Sequence, residues 1–264
     1  MICNSINLVK SAVTIQHQHL GGRVATISTD YPVILGTLSD RAYQQLKEDI
    51  VRGRLAPGTR LAVRQLSDSY DIGASPIREA LHRLVGEGLV AAIGQRGFRV
   101  PPISVADLQD VTRTRTLLEI EALRQSLRNG DDDWEAQVVA SFHQLNKIEQ
   151  ETGPIGDFKE WERRNQAFHE ALVAGCRSHW VQRLSGILHD QHRRYRYLSV
   201  HYSGHRHVAE EHAALRDAAL RRDEQAACDM LRVHIERTAA TVEEILRLRE
   251  HGSGPTSTAR ADES

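Results

Sequence analysis

The sequence predicts a mainly α-helical chain of two domains. Three observations carry that expectation. Apolar residues recur at helical spacing through most of residues 39–248, beginning with Ala42, Tyr43, Leu46, Ile50 and Val51. The run Val100-Pro101-Pro102-Ile103-Ser104 interrupts them, because two prolines cannot continue a helix and Ser104 can cap a new one. Only residues 89–93 and 98–100 read as strands, with Gly94-Gln95-Arg96-Gly97 between them as a hairpin tip.

Taken in order, residues 1–38 carry few charges and lack the apolar core and cleavage site of an export signal, so they are expected to form a flexible N-terminal extension. A small domain then spans 39–102. Ser39 is expected to cap its first helix, which Gly53 and the Pro57-Gly58 turn end. A second helix should run from Val63 to Tyr70 with Leu66 buried. Gly73 makes a turn, and Ser75-Pro76 should start a third helix as cap and first residue. Ile77, Ala80, Leu81, Leu84 and Val85 form its inner stripe, which turns Arg78, His82 and Arg83 outward. Gly86 and Gly88 close it before the hairpin.

Three helices and a hairpin make a winged helix-turn-helix. Its third helix would present Ser75 and Arg78 near its N-terminus, where such a helix meets base edges. Arginine can grip guanine O6 and N7 in bidentate fashion, and serine suits phosphate or base. Arg64 and the wing's Arg96 add positive charge to the same side. Residues 39–102 hold ten Lys and Arg against seven Asp and Glu, whereas 103–264 hold 22 against 27. A basic module thus precedes an acidic one, which suits nucleic acid at the first. The alternative is a winged helix used for protein contacts alone.

Residues 103–249 read as an all-α antiparallel bundle, with helices near 104–128, 133–151, 157–176, 178–200, 204–221 and 223–248 and short connections. No Gly-rich phosphate loop and no Ser-His-Asp spacing is present. Polar residues interrupt its apolar stripes. Arg115 falls on the stripe Leu108, Val111, Leu118 and Ala122. Asn165 and His169 fall on or beside Phe158, Trp161, Phe168, Leu172 and Cys176. His212 lies among Val208, Leu215 and Ala219, and His234 among Ala227, Met230, Leu231, Thr238 and Ile245. Buried polar groups cost free energy unless something satisfies them. Three imidazoles and an amide oxygen suit zinc, nickel or another borderline metal. Each histidine taken alone reads first as a satisfied core residue. Arg115 would need an anion, either a ligand carboxylate or an internal partner such as Glu119 or Glu121. His201, His205 and His207 cluster in a Gly-containing loop and are read as solvated. Residues 250–264 are rich in Gly, Ser, Thr and Pro and are expected to be a flexible tail.

Composition narrows the class. With 40% hydrophobic and 26% charged residues, wholesale disorder is excluded. No apolar run approaches the roughly 18 residues of a membrane span. Three cysteines without a CxxC pair argue against a disulfide framework or thiolate zinc site and fit a reducing cytoplasm.

Particular residues carry a family resemblance. Ala56-Pro57-Gly58-Thr59-Arg60-Leu61, Arg64-Gln65-Leu66-Ser67, Ser75-Pro76-Ile77-Arg78-Glu79-Ala80-Leu81 and Gly94-Gln95-Arg96-Gly97-Phe98 resemble the DNA-binding domain of GntR-family regulators. The resemblance implies operator contacts at Arg64, Ser75, Arg78, Gln95, Arg96 and Gly97. Ala74 stands where some members carry a base-contacting arginine, so it does not imply an operator sequence.

The remainder resembles the FCD effector domain of the FadR subfamily, through Asp107-Leu108, Arg115-Thr116-Leu117-Leu118-Glu119, 165–172, Glu211-His212-Ala213-Ala214-Leu215 and His234. That implies a divalent metal, zinc or nickel, held by His169, His212 and His234, with Asn165 where aspartate is usual, and Arg115 near the effector. Trp161, 166–169 and Arg194-Tyr195-Arg196-Tyr197 are similar to the CsiR-like branch, associated with glutarate and related short dicarboxylates. The function expected is a cytoplasmic, homodimeric repressor that binds a pseudo-palindromic operator in double-stranded DNA and is released by a small carboxylate. A metal-responsive regulator and a metallohydrolase built on the three histidines are the alternatives.

Overall fold

In a computed structural model of the chain, residues 36–94, 97–151, 157–199 and 208–250 are described. They contain nine helices and one three-stranded sheet. The expected N-terminal extension up to residue 35, the wing-tip residues Gln95 and Arg96, the loop with His201, His205 and His207, and the tail beyond residue 250 lie outside the described residues.

Helix α1 spans Leu38–Val51 and buries Ala42, Tyr43, Leu46, Ile50 and Val51. Its cap is Thr37 rather than the expected Ser39. Thr37 accepts from the Asp40 N–H at 3.1 Å, and the Asp40 carboxylate accepts from the Thr37 N–H at 3.0 Å. This reciprocal box satisfies two otherwise orphaned donors. Ser39 instead lies inside the helix and donates to Glu79 at 2.6 Å. Helix α2 spans Val63–Tyr70 with Leu66 buried, as expected. Helix α3, Ala74–Gly86, starts earlier than Ser75-Pro76 suggested. Gly73 is its cap, without a side-chain bond, so Ser75 and Pro76 are the second and third helical residues. Proline is tolerated there because first-turn N–H groups have no intrahelical acceptor.

The wing is smaller than expected, and it has a strand that residue periodicity missed. β1 (Arg60–Leu61), β2 (Ala91–Ala92) and β3 (Phe98–Arg99) pair antiparallel in the order β1-β3-β2. Leu61 faces Phe98, and both are buried. Leu89 and Val90, expected in a strand, are instead core residues between α3 and β2. A two-residue strand such as β1 shows no alternation, so its sequence carries no strand signal.

The bundle comprises α4 (Val105–Asn129), α5 (Asp132–Glu151), α6 (Phe158–Val173), α7 (His179–Ser199), α8 (Val208–Leu220) and α9 (Glu224–Glu250). Ser104 caps α4 by accepting from the Asp107 N–H at 3.1 Å. A core of Leu123, Leu127, Trp134, Val138, Phe142, Phe168, Leu172, Leu215, Leu231 and Ile235 joins α4, α5, α6, α8 and α9. Helix α7 lies against α4, α9 and also α1. It therefore touches both the bundle and the winged part. Gln191 on α7 donates to the Glu87 carbonyl at 2.8 Å. Neighbouring Gly88 has φ +72°, and a Cβ there would stand 3.2 Å from Gln191 Nε2. Glycine thus answers both a left-handed turn and a close approach.

Candidate nucleic-acid interface and buried histidine centre

The first site is an exposed basic surface. Ser75 and Arg78 in the first turns of α3, and Arg64 in α2, are all exposed. Several other cations of the winged part are committed internally. Arg83 pairs with Asp40 at 2.7 Å, Arg54 with Asp49 at 2.6 Å, and Lys47 with Asp190 at 2.6 Å. Arg64 and Arg78 form no ion pair among the described residues, which leaves their guanidinium groups available to an external anion. The inner stripe of α3, Ile77, Ala80, Leu81 and Leu84, is fully buried, which fixes the outward direction of Arg78. Gly97 sits at the base of the wing with φ +99°. His82 closes against Phe98, ring edge to face, with centroids 5.1 Å apart, and so ties α3 to the wing.

The second site is buried in the bundle. Asn165 and His169 are one turn apart on α6, His212 comes from α8 and His234 from α9, and all four are buried. The ring centroids of His212 and His234 lie 4.8 Å apart, those of His169 and His234 5.0 Å, and those of His169 and His212 5.7 Å. One nitrogen from each ring falls within 4.8 Å of the others. The residues that residue periodicity singled out therefore converge.

Carboxylates that it did not single out orient two of the rings. Glu149 on α5 lies 2.9 Å from His212 Nδ1, and Glu211 on α8 lies 2.9 Å from His234 Nδ1. Glu149 also accepts from the Trp161 indole at 3.1 Å. A carboxylate on one ring nitrogen fixes the tautomer and aims the other nitrogen at the centre. His212 Nε2 and Asn165 Oδ1 are buried without a hydrogen-bond partner. An orphaned nitrogen and an orphaned amide oxygen beside two more imidazoles form a donor set that fits a borderline divalent cation.

Arg115 is 2% exposed, as its place on the stripe required. Its guanidinium donates to Glu119 at 2.7 and 3.2 Å and approaches His192 Nδ1 at 3.0 Å. The internal partner is supplied one turn away on the same helix.

The largest addition to the expected site is α7. Ser185, His189, His192 and Arg196 recur at intervals of four, three and four, and all are buried on one helical face. The His189 ring centroid is 6.2 Å from that of His169. Arg196 approaches His192 Nδ1 at 3.1 Å and forms a two-point ion pair with Glu162, which is completely buried. Ser185 Oγ, His189 Nε2 and His192 Nε2 have no partner. The signal was present as a polar stripe of helical period, but a search for polar residues interrupting apolar stripes passes over it.

Neighbouring positions of α7 meet the winged part. Asp190 pairs with Lys47, and Arg193 reaches Asp190 at 3.0 Å, Glu162 at 3.5 Å and Glu48 at 3.6 Å. Burial alone would lower the Lys47 pKa, but Asp190 and then Glu87 overcome it and hold the ammonium charged.

A winged helix-turn-helix joined to a helical bundle with a buried polar centre defines a class of ligand-responsive transcription regulators. Residues 38–100 match the family model described as bacterial regulatory proteins, gntR family, and residues 110–237 match the FCD domain. The chain is 46% identical over 216 residues to the HTH-type transcriptional regulator BphR of Paraburkholderia xenovorans (strain LB400), covering 81% of this chain and 88% of that one. It is 37% identical over 200 residues to the HTH-type transcriptional repressor GlaR of Escherichia coli (strain K12), covering 73% and 90%. The solved structure of E. coli McbR/YncC has the same fold, with a TM-score of 0.70 at 20% identity over 80% of this chain and 100% of that one. The chain belongs to the GntR family of transcription regulators and carries an FCD domain. It is a regulator rather than an enzyme, which sets the metallohydrolase alternative aside.

Two outcomes follow from this electrostatics. Arg115→Met strands the buried Glu119 and should cost about 3–5 kcal/mol by chemical denaturation. Arg115→Met with Glu119→Met should recover most of that loss, and a double variant as unstable as the single one would remove the pair from this role. The second concerns pH. Burial first, then neighbouring positive charge, hold His169, His189 and His192 well below their ordinary 6.5. The unfolded chain takes up protons at these rings below about pH 6.5 while the folded chain does not, so their contribution is present above that pH and fades below it. The melting temperature of metal-free protein should fall between about pH 7 and about pH 5, less steeply in His192→Gln.

Proposed function

We propose that this regulator is a repressor that leaves its operator when a small carboxylate binds at a metal-containing pocket in the FCD domain. The observation that carries this reading is the convergence of His169, His212 and His234 from three helices, with Asn165 Oδ1 and His212 Nε2 left without partners. Asn165, His169, His212 and His234 would hold the cation, of zinc or nickel type. A divalent ion there supplies a Lewis acid for a carboxylate oxygen. Arg115, paired with Glu119, borders the effector-binding pocket through its contact with His192. The repressor sign is supported by the name of the GlaR relative.

At the other end, Arg78 and Ser75 on α3 read base edges while Arg64 and the wing residues Gln95, Arg96 and Gly97 hold the backbone. Two recognition helices are needed for a pseudo-palindromic site, so the working unit is a homodimer. Helix α7 touches both the histidine centre and the winged part, which gives ligand binding a direct mechanical route to the DNA-binding elements.

Release should be measured by fluorescence anisotropy on labelled operator, with metal and carboxylates added separately and together. Release by carboxylate only in the presence of metal supports the reading, and release by metal alone makes the ion itself the signal. Arg78→Ala should weaken operator binding by about 1–3 kcal/mol per lost base contact and relax specificity at one position in each half-site. Unchanged affinity in a folded variant would remove α3 from base reading. His212→Ala should lower bound metal in elemental analysis of loaded protein, whereas Asn165→Asp should tighten metal binding, since a carboxylate is a stronger ligand than an amide. Full metal retention by His212→Ala would place the cation elsewhere.

A further inference from the structure

The outer face of α9 carries a stripe that the bundle does not use. Leu231, His234, Ile235, Val242 and Ile245 of this helix are buried, whereas Val233, Arg237, Ala240, Glu244 and Leu248 are exposed. Their spacing of four, three, four and four sets all five on one side of the helix. Val233 is 40% exposed and Leu248 50%, so a large aliphatic side chain closes the stripe at each end. An open recess of about 500 Å³ runs along its second half, lined by Ala240, Glu243, Glu244, Arg247 and Leu248.

From either end the stripe has the order apolar, charged, small, charged, apolar, and its two charges are of opposite sign. A second copy of α9 laid antiparallel about a two-fold axis near Ala240 and Thr241 therefore matches it. Val233 meets the partner's Leu248, and Arg237 meets the partner's Glu244. The two-fold repeats each contact, as a self-complementary interface requires. Ala240 stands beside the axis, where a small side chain lets two helices approach closely. The recess on the second half of one helix then faces Val233 and Arg237 on the first half of the other. Both charges can serve this contact. Glu244 is exposed and forms no ion pair among the described residues, and Arg237, with 62% of its side chain exposed, reaches Glu211 at 3.2 Å.

Other exposed apolar groups lack this self-complementarity. Trp180 and Leu184 share a side of α7, but Arg177 and Arg183 lie close by and residues 177–188 contain no acid. A two-fold axis there would set like charge against like charge, which opposes association. Leu117 on α4 and Val139 on α5 are single exposed aliphatics of the kind that most protein surfaces carry.

We infer that α9 is the seam of the homodimer, two copies pairing antiparallel through Val233, Arg237, Ala240, Glu244 and Leu248. The inference rests on the homodimer reading above and gives it a surface. His234 lies on the inner side of the same helix, one residue from Val233, so the seam and the histidine centre share one element.

The test is sedimentation velocity of the full-length protein over a concentration series. The wild type should be a dimer. Arg237→Glu and Glu244→Arg each set like charges across both halves of the seam, and each should raise the dimer dissociation constant at least about tenfold. Arg237→Glu with Glu244→Arg in one chain restores both pairs with their signs exchanged and should return the constant to within about threefold of wild type. Mixing the two single variants should give a heterodimer for the same reason. Such rescue does not come from the Arg237 contact with Glu211, which the double variant leaves broken. Should Arg237→Glu fail to fold, Glu244→Arg and Leu248→Asp carry the test, each expected to weaken the dimer. A dimer indifferent to the α9 variants, or a weakened dimer that neither the double variant nor mixing restores, overturns this proposal and leaves the homodimer reading standing. Loss of the dimer in Trp180→Ser with Leu184→Ser, with the α9 variants still paired, moves the seam to α7 and overturns it too. A monomeric wild type overturns both readings.

Discussion

Much of this molecule hangs on one buried carboxylate. Glu162 on α6 is fully inaccessible and meets Arg196 on one side and Arg193 on the other. An unpaired charge at that depth would be strongly destabilising, so neither arginine can leave without a large loss. Each arginine in turn fixes something else. Arg196 holds the ring of His192, while Arg193 meets Asp190 and Glu48 of α1. Asp190 then pairs with Lys47, whose ammonium also reaches Glu87 just beyond α3. A set of ion pairs therefore runs from the buried site to the end of the recognition helix, with α7 as its backbone.

That arrangement gives α7 two electrostatic faces and little purely apolar surface. Its inward stripe contains Ser185, His189, His192 and Arg196; Asp190, Gln191, Arg193 and Arg194 make further polar contacts, and Tyr195 is buried in an apolar cluster with Leu108, Ala239, Val242 and Leu246. Helices placed by apolar burial tolerate small slides, because dispersion contacts are non-directional. Helices placed by directed hydrogen bonds have discrete positions. A change in what His192 or His189 bonds therefore alters a register, and that register is shared with the Gln191 contact to the Glu87 carbonyl and with Gly88 packed beside it.

How much of this was legible in the sequence depended on which interaction places each element. Helix α2 fell at residues 63–70 as expected, because a single apolar anchor and clear turns bound it. The cap of α1 was misplaced by two residues, since Thr37 and Ser39 are both good capping types and only the reciprocal bond with Asp40 decides between them. Asn165, His169, His212 and His234 were legible because each is a polar residue on an otherwise apolar stripe. Glu149 and Glu211, which hold two of those rings, were not, because their partners lie 63 and 23 residues away and no local spacing encodes the pairing. The α7 stripe escaped notice for the opposite reason. Where a helical stripe is itself polar from end to end, as Ser185, His189, His192 and Arg196 are, no residue looks like an exception. Arg115 marks the boundary between the two cases. Its inward direction was legible, and so was Glu119 one turn away, but only the folded geometry decides between an internal and an external anion.

The same geometry separates the two roles that a buried cation can take. Arg115 is neutralised by Glu119, and Arg196 by Glu162, so neither presents a naked charge to a ligand. A naked guanidinium would bind an anion strongly but would be intolerable in the empty protein. Placing a neutral imidazole in front of two compensated arginines lowers that cost. This face of α7 then carries unsatisfied polar groups, a buried unsatisfied donor costing about 1–3 kcal/mol, rather than an isolated charge.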